Sequence, residues 1–291
     1  MQSVRFLVVV IWVSAMNMGA LNADDGVIIG RHDFWVWQFA ISPDNRHFAT
    51  ASYDKTVKLW DLRTQRELFH MRGHTAAVAC VAYSRDGKLL ASGSHDGSVL
   101  LWDVSDGRRI RRLAENRGAV RAVAFDPTGR HLAFGGDDGV LEVVDVATSE
   151  VAHRLRVQGE RRAIHSVRYL DEHRVLFGSG SRVVRADLKR ETVEILQSIH
   201  HFAVKYITST DDRERLFTAE SGGIVAGWDV ETYRPKVVLR VPVMDGVQGF
   251  AIDDARRLVV TSDVNQVYRL EFWDLGNGKR IDTITVDTED G

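Results

Sequence analysis

Short apolar runs alternate with turn signals along almost the whole chain. Between residues 78 and 113 the order is Val78–Tyr83, a Ser84-Arg85-Asp86-Gly87 turn, Leu89–Ser94, a His95-Asp96-Gly97 turn, Val99–Trp102, a Ser105-Asp106-Gly107 turn and Arg109–Leu113. Runs this short, bounded by Asp-Gly, read as strands joined by hairpins, because glycine tolerates the positive φ that tight turns need. Several runs are apolar on both faces, as expected of a sheet sandwiched between neighbouring sheets. No helical period is evident beyond the N-terminal segment.

The pattern repeats. Trp60-Asp61 recurs 42 residues later as Trp102-Asp103, and the same step reaches Val144-Asp145, Ala186-Asp187 and Trp228-Asp229; Trp273-Asp274 follows after 45. His32 and His74 keep the step of 42, as do Asp54, Asp96 and Asp138. Self-similarity at a period of this length is the signature of a repeat architecture, with one four-stranded unit per repeat.

With these residues in view the chain resembles the WD-repeat β-propeller family, over about residues 27–287. The resemblance implies an all-β propeller of WD-type four-stranded blades, six recognisable, with a seven-blade ring lacking one blade as the alternative. It also implies a hydrogen-bonded tetrad within a blade. In the second unit Asp96 would orient His74, His74 would bond Ser92, and Ser92 would accept from the Trp102 indole. The first unit offers His32, Thr50, Asp54 and Trp60, with Arg31 in place of the glycine of Gly73-His74. The fifth keeps His200, Thr218 and Trp228 but has Gly222 where the aspartate belongs. The third has Asn116, Phe134 and Val144 and keeps Asp138; the fourth lacks a histidine; the sixth keeps Thr261 and Trp273. Blades without the tetrad are expected to be less rigid. Ring closure in such proteins often uses the N-terminal segment as the last blade's outer strand. Val27–Ile29 and Ile281–Val286 compete for that slot.

Residues 1–23 change the picture at one end. Arg5, the apolar run Phe6–Val13 and the small and polar residues Ser14–Ala23 follow the order of a secretory signal peptide. The expected division is a signal at 1–23, cleaved after Ala23, and a repeat domain at 24–291. The expected location is secreted or periplasmic, with no integral span after cleavage. A membrane anchor left uncleaved is the alternative.

Composition narrows the chemistry. With 38 Lys+Arg against 40 Asp+Glu the chain lacks the basic excess of a general nucleic-acid binder, so no nucleic-acid partner is expected. The single cysteine, Cys80, excludes an intrachain disulfide and a cysteine-based zinc site, and its apolar strand makes it an inert core thiol. His200-His201 looks like a metal pair, but adjacent strand residues point to opposite faces. The Asp-rich turns lack the oxygen count of a calcium loop. No catalytic residue, metal site or cofactor is expected. Arg108-Arg109-Ile110-Arg111-Arg112 reads as a solvated blade edge that discourages edge pairing.

The function expected is a non-enzymatic protein-interaction scaffold, exported from the cytoplasm. The alternatives are the repeat portion of a larger envelope protein, or a propeller-hosted hydrolase or oxidoreductase. By the resemblance, the turns before the tetrad aspartates share a rim with the starts of the inner strands. That rim would carry Trp35, Tyr53, His95, Asp137 and Phe202 as the partner face. The competing reading packs Trp35 inside the first blade beside Trp37 and Phe39.

Overall fold

The computed structural model describes residues 6–9, 28–115, 118–158, 162–196, 199–209, 215–240, 250–253, 258–263, 268–274 and 279–286. Among the described residues six four-stranded antiparallel sheets follow one another, each a meander in which neighbours in sequence are neighbours in the sheet. They span residues 36–72, 78–115, 120–156, 164–195, 204–240 and 250–286. The first is built of Val36–Ile41, His47–Ser52, Thr56–Asp61 and Glu67–Arg72. The second is built of Val78–Tyr83, Leu89–Ser94, Ser98–Asp103 and Arg109–Glu115.

Five of these sheets, up to residue 240, carry described buried cores and count as blades of an all-β propeller. That is fewer than the six, or the seven-membered ring, that the repeat count led us to expect. The sheet at 250–286 is described by its strand pairing, with Trp273 buried. Its fourth strand is Arg280–Val286, paired along Tyr268–Asp274. The competition for that slot therefore goes to the C-terminal segment. The N-terminal segment Ile28–His32 pairs instead with Phe6–Val9, Phe6 opposite His32.

The chain divides into two compact units, one holding Ile28–Ser179 and Val184–Ile195, the other Leu196–Gly291. In the first unit each apolar core lies between consecutive blades. Val57, Leu59 and Met71 of blade one meet Val78, Leu90, Leu100 and Trp102 of blade two. Val99, Leu101 and Leu113 of blade two meet Val120, Phe134 and Val144 of blade three. Leu141 and Val143 meet Ile164, Phe177 and Val184. Leu100 and Leu101 thus serve different cores, which is why these strands are apolar on both faces.

Turn chemistry follows the repeat as well. Gly87, Gly97 and Gly107 take positive φ in blade two, and Asn45, Lys55 and Gln65 take it at the matching positions of blade one. Among the described residues no helix is long and apolar enough to cross a membrane.

Candidate interaction face and the polar networks beneath it

In blade one the Trp60 indole N–H donates to Thr50 Oγ1 at 2.9 Å, and Thr50 Oγ1 lies 2.7 Å from His32 Nε2. His32 Nδ1 lies 2.7 Å from Asp54 Oδ2. A carboxylate only accepts, so Nδ1 carries the proton and Nε2 accepts from the threonine hydroxyl. Asp54 also accepts from the Asp33 N–H at 3.2 Å and from Thr56 Oγ1 at 2.6 Å. Burial alone would raise the Asp54 carboxyl, but the hydrogen bonds from His32 and Thr56 outweigh it and hold it well below the usual range.

Blade two repeats the arrangement. Trp102 donates to Ser92 at 2.8 Å, and Ser92 lies 2.7 Å from His74 Nε2. His74 Nδ1 sits 3.3 Å from Asp96 and 2.9 Å from Ser98 Oγ, while Asp96 accepts from the Thr75 N–H at 2.7 Å. Burial opposes ionisation of Asp96 too, and bonds from Ser98 and Thr75 reverse the balance. Thr56 and Ser98 are members that the tetrad pattern omits. Each stands two residues after the aspartate it binds, the spacing of a side chain closing on its own turn.

Blade five corrects the sequence reading. Trp228 donates to Thr218 at 2.7 Å and Thr218 lies 2.7 Å from His200 Nε2. The acid is Glu220, not residue 222. Its Oε2 lies 3.5 Å from His200 Nδ1 and accepts from the N–H groups of His201 at 2.6 Å and Phe202 at 2.9 Å. Glu220 starts two residues earlier and reaches the same place with one more methylene. Gly222 is bare for a reason: a Cβ there would lie 2.4 Å from Phe202 Cδ2 and 2.9 Å from Glu220 Oε1. The signal in the sequence was the unexplained Glu220 at the position of Ser52 and Ser94.

Blades three and four fill the same slots with hydrocarbon. Phe134 and Val144, then Leu176 and Ala186, occupy the hydroxyl and tryptophan positions, all fully buried. Asp138 accepts from the Val140 N–H at 3.0 Å, and Asn116 lies outside the described residues.

Above these networks lies the rim. The Tyr53 N–H bonds the Trp35 carbonyl at 2.8 Å, His95 bonds Ala77 at 2.9 Å, and Asp137 bonds Ala119 at 3.0 Å. One backbone bond thus places three of the expected face residues at equivalent sites on consecutive blades. Trp35 is 57% exposed, so it is not packed inside blade one. Its ring meets Tyr53 edge-on at 6.1 Å, and Phe34 meets Tyr53 at 6.1 Å. Trp37, which sequence reasoning left in the core, is also exposed and stands 5.4 Å from His95, joining blade one to blade two. His95 is held below its ordinary pKa by burial and then by Arg121. Arg121 forks onto Asp137, with one arm at 3.2 Å. In the second unit Phe202, 60% exposed, occupies the place of Phe34, and Ser221 bonds Ala203 at 3.2 Å as Tyr53 bonds Trp35.

Candidate chemistry elsewhere is sparse. Burial pushes the Cys80 thiol up to about 12, which leaves no thiolate at neutral pH. His200 is buried and His201 exposed, and both lie in the loop before Val204–Ser209 rather than in a strand, so it is the loop and not a strand period that parts them. Among the described residues no group of three His, Cys, Asp or Glu side chains could hold a metal ion.

Comparison with known proteins agrees with the architecture. The family model described as WD domain, G-beta repeat matches residues 27–61 and 65–103, and the anaphase-promoting complex subunit 4 WD40 domain model matches 112–172. A probable coatomer subunit beta' of Caenorhabditis elegans is 49% identical over 53 residues, 18% of this chain and 5% of that protein. A ribosome biogenesis protein WDR12 homolog of Nematostella vectensis is 39% identical over 69 residues, 22% of this chain and 17% of that protein. The chain therefore spans a small part of the curated relatives it matches. The solved structure of U3-55K superposes with a TM-score of 0.76 at 21% identity, covering 88% of this chain and 83% of that one. The RRP9 WD40 repeats do so at 0.76 and 21%, covering 88% and 82%. Coatomer subunits and ribosome biogenesis proteins work inside the cell. They overturn the expectation of a secreted or periplasmic protein that residues 1–23 suggested.

Proposed function

Because this chain is a WD-repeat protein with the propeller fold, we propose that it is a non-enzymatic scaffold whose protein partner docks on the aromatic rim of blades one to three. The observation that carries this reading is the cluster of Phe34, Trp35, Trp37 and Tyr53, each more than 40% exposed and gathered on one rim. Exposed aromatic clusters mark interaction sites, and Trp and Tyr dominate binding hot spots because they bury much area at low entropic cost. The networks beneath hold the rim loop at Asp33 and Thr75, so the face is organised before a partner arrives. Relatives named as coatomer subunits are parts of an assembly, which supports the same reading. On this reading the repeat domain is residues 24–291, and the sheet at 250–286 is a further blade.

The test pairs Trp35→Ala with Tyr53→Ala. Crosslinking in the native cell and affinity purification of the full chain identify the retained partner. The double variant should lose upward of about 2 kcal/mol of binding to it while thermal unfolding is unchanged. Full retention of the partner by the variant removes this face.

A further inference from the structure

Between the edge strands of blades one and two lies a cleft of about 580 Å³. Its walls are His70 and Arg72 at the end of Glu67–Arg72, and Arg109 at the start of Arg109–Glu115. Its floor is Met71 and Trp102, both buried. Two glycines shape it. Gly107, at φ +70°, brings the turn down onto blade one, where a Cβ would lie 2.6 Å from the Phe69 ring. At Gly73 a Cβ would lie 3.2 Å from Trp102 and 3.5 Å from an Arg109 guanidinium nitrogen, so Arg109 folds inward over bare backbone.

The charges in this cleft are not balanced. Glu67 is committed to Lys58 at 2.9 Å and lies 3.7 Å from His70. Asp106 stands 3.7 Å from Arg108. Neither Arg72 nor Arg109 has an ion-pair partner among the described residues. Burial first, then Lys58 and Arg72, holds the His70 imidazole below its ordinary pKa, with Glu67 and Asp54 opposing. The basic run therefore does more than blunt an edge. Arg111 donates to the Ala147 carbonyl of blade three, whereas Arg109 turns into the cleft.

We propose that this cleft binds a phosphate monoester, with Arg72 and Arg109 as the two forks. A guanidinium presents parallel N–H donors that match two oxygens of an anion. A carboxylate has two oxygens and saturates one fork. A phosphoryl dianion has three free oxygens and can engage both while cancelling their mutual repulsion. The cleft holds more volume than a phosphoryl group fills, which leaves room for the group that carries it. That group is either a soluble phosphorylated molecule or a phosphorylated lipid headgroup.

Calorimetric titration of the full chain with inorganic phosphate and with inositol trisphosphate tests the shared chemistry. Flotation with phosphatidylcholine vesicles that contain or lack a phosphatidylinositol phosphate separates the two sources. Saturable binding of one phosphate ligand per chain is expected. Arg72→Gln with Arg109→Gln should weaken it at least about tenfold, since each charge-assisted bond is worth that much. Arg85→Gln, an exposed arginine on another turn, should leave it unchanged. Should the double variant fail to fold, Arg109→Gln alone carries the same measurement. Capture by the phosphoinositide vesicles assigns the lipid source; binding of the soluble ligands without vesicle capture assigns the soluble one. Absence of saturable binding to every probe, or equal affinity of wild type and the arginine variants, overturns the proposal.

Discussion

Blades one and two differ from blades three and four at the same buried slots. Ser92 becomes Phe134 and then Leu176; Trp102 becomes Val144 and then Ala186; every one of these is buried to 1% exposure or less. A polar network and a hydrocarbon plug are thus interchangeable fillings, provided the buried hydroxyl and indole go together; Asp138 stays in blade three, half-buried and accepting from the Val140 N–H. Leaving one polar member behind would strand a buried donor or acceptor, which is costly, whereas replacing partners together is nearly neutral. The two fillings are not equivalent at the rim. The acid of a network ties the loop after the histidine through a backbone N–H, at Asp33, Thr75 and His201. Exposed aromatics stand on two of those three loops, Phe34 and Trp35 in blade one and Phe202 in blade five. The polar filling is kept where a surface has to be held still.

The harshest way to break this comparison is to empty the slot. Trp102→Ala removes a ring that supports the core between blades one and two and leaves Ser92 without its donor. It should cost about 3–5 kcal/mol in denaturant unfolding. Val144→Ala, at the same slot in blade three, removes two methyl groups and no hydrogen bond, and should cost about 1.5–3 kcal/mol. Equal losses would show that the network adds nothing beyond hydrocarbon burial. Amide exchange gives the local view: Ser98–Asp103 is expected to exchange more slowly than Arg182–Asp187.

The repeat step of 42 and the Asp-Gly turns made the strands and the repeat units legible, because both are local or periodic. The propeller class and the tetrads of blades one and two came from the resemblance to the WD-repeat family. What escaped was each feature set by distance across space. Glu220 reaches its histidine from two residues upstream, and only the bare Gly222 beside Phe202 explains the move. Trp37 sits at a position that reads as core in a strand, yet it lies on blade one's flank against His95 of the next blade. The arginine run looked uniform, but its alternate members face different blades. The location was the expectation that failed. The N-terminal apolar run has the composition of an export signal, whereas the relatives act inside the cell; Phe6–Val9 of that run is a strand paired with Ile28–His32.

A swap within blade five sharpens the comparison. Glu220→Ala leaves the His201 and Phe202 N–H groups without their acceptor and His200 Nδ1 without its carboxylate. The expected loss is about 1–3 kcal/mol. Restoring the blade-one pattern by Glu220→Ser with Gly222→Asp should not recover it, because the new Cβ collides with Phe202. Adding Phe202→Ala should. Recovery without the Phe202 change would show that Glu220 and Gly222 are not a compensated pair.

The smallest effect separates blades two and three by pH. Burial holds His74 below its ordinary pKa of 6.5, with Asp96 opposing, and burial holds His95 low in the same blade. When blade two opens, these side chains regain the ordinary value and take up protons that the folded blade resists. The opening free energy of blade two is therefore full above about pH 6.5 and falls as the pH drops below it. Asp96 acts in the same direction at lower pH, since its depressed carboxyl contributes stability that is present above about 3.8 and lost beneath it. Blade three has no described histidine in the network position; its His131 sits on the turn side, 3.2 Å from Asp126. Between about pH 7 and about pH 5.5, amides of Ser98–Asp103 should lose protection, corrected for intrinsic exchange, relative to those of Val140–Asp145. Parallel loss in both strands would mean that the blades open together, and the polar network would then set no local stability of its own.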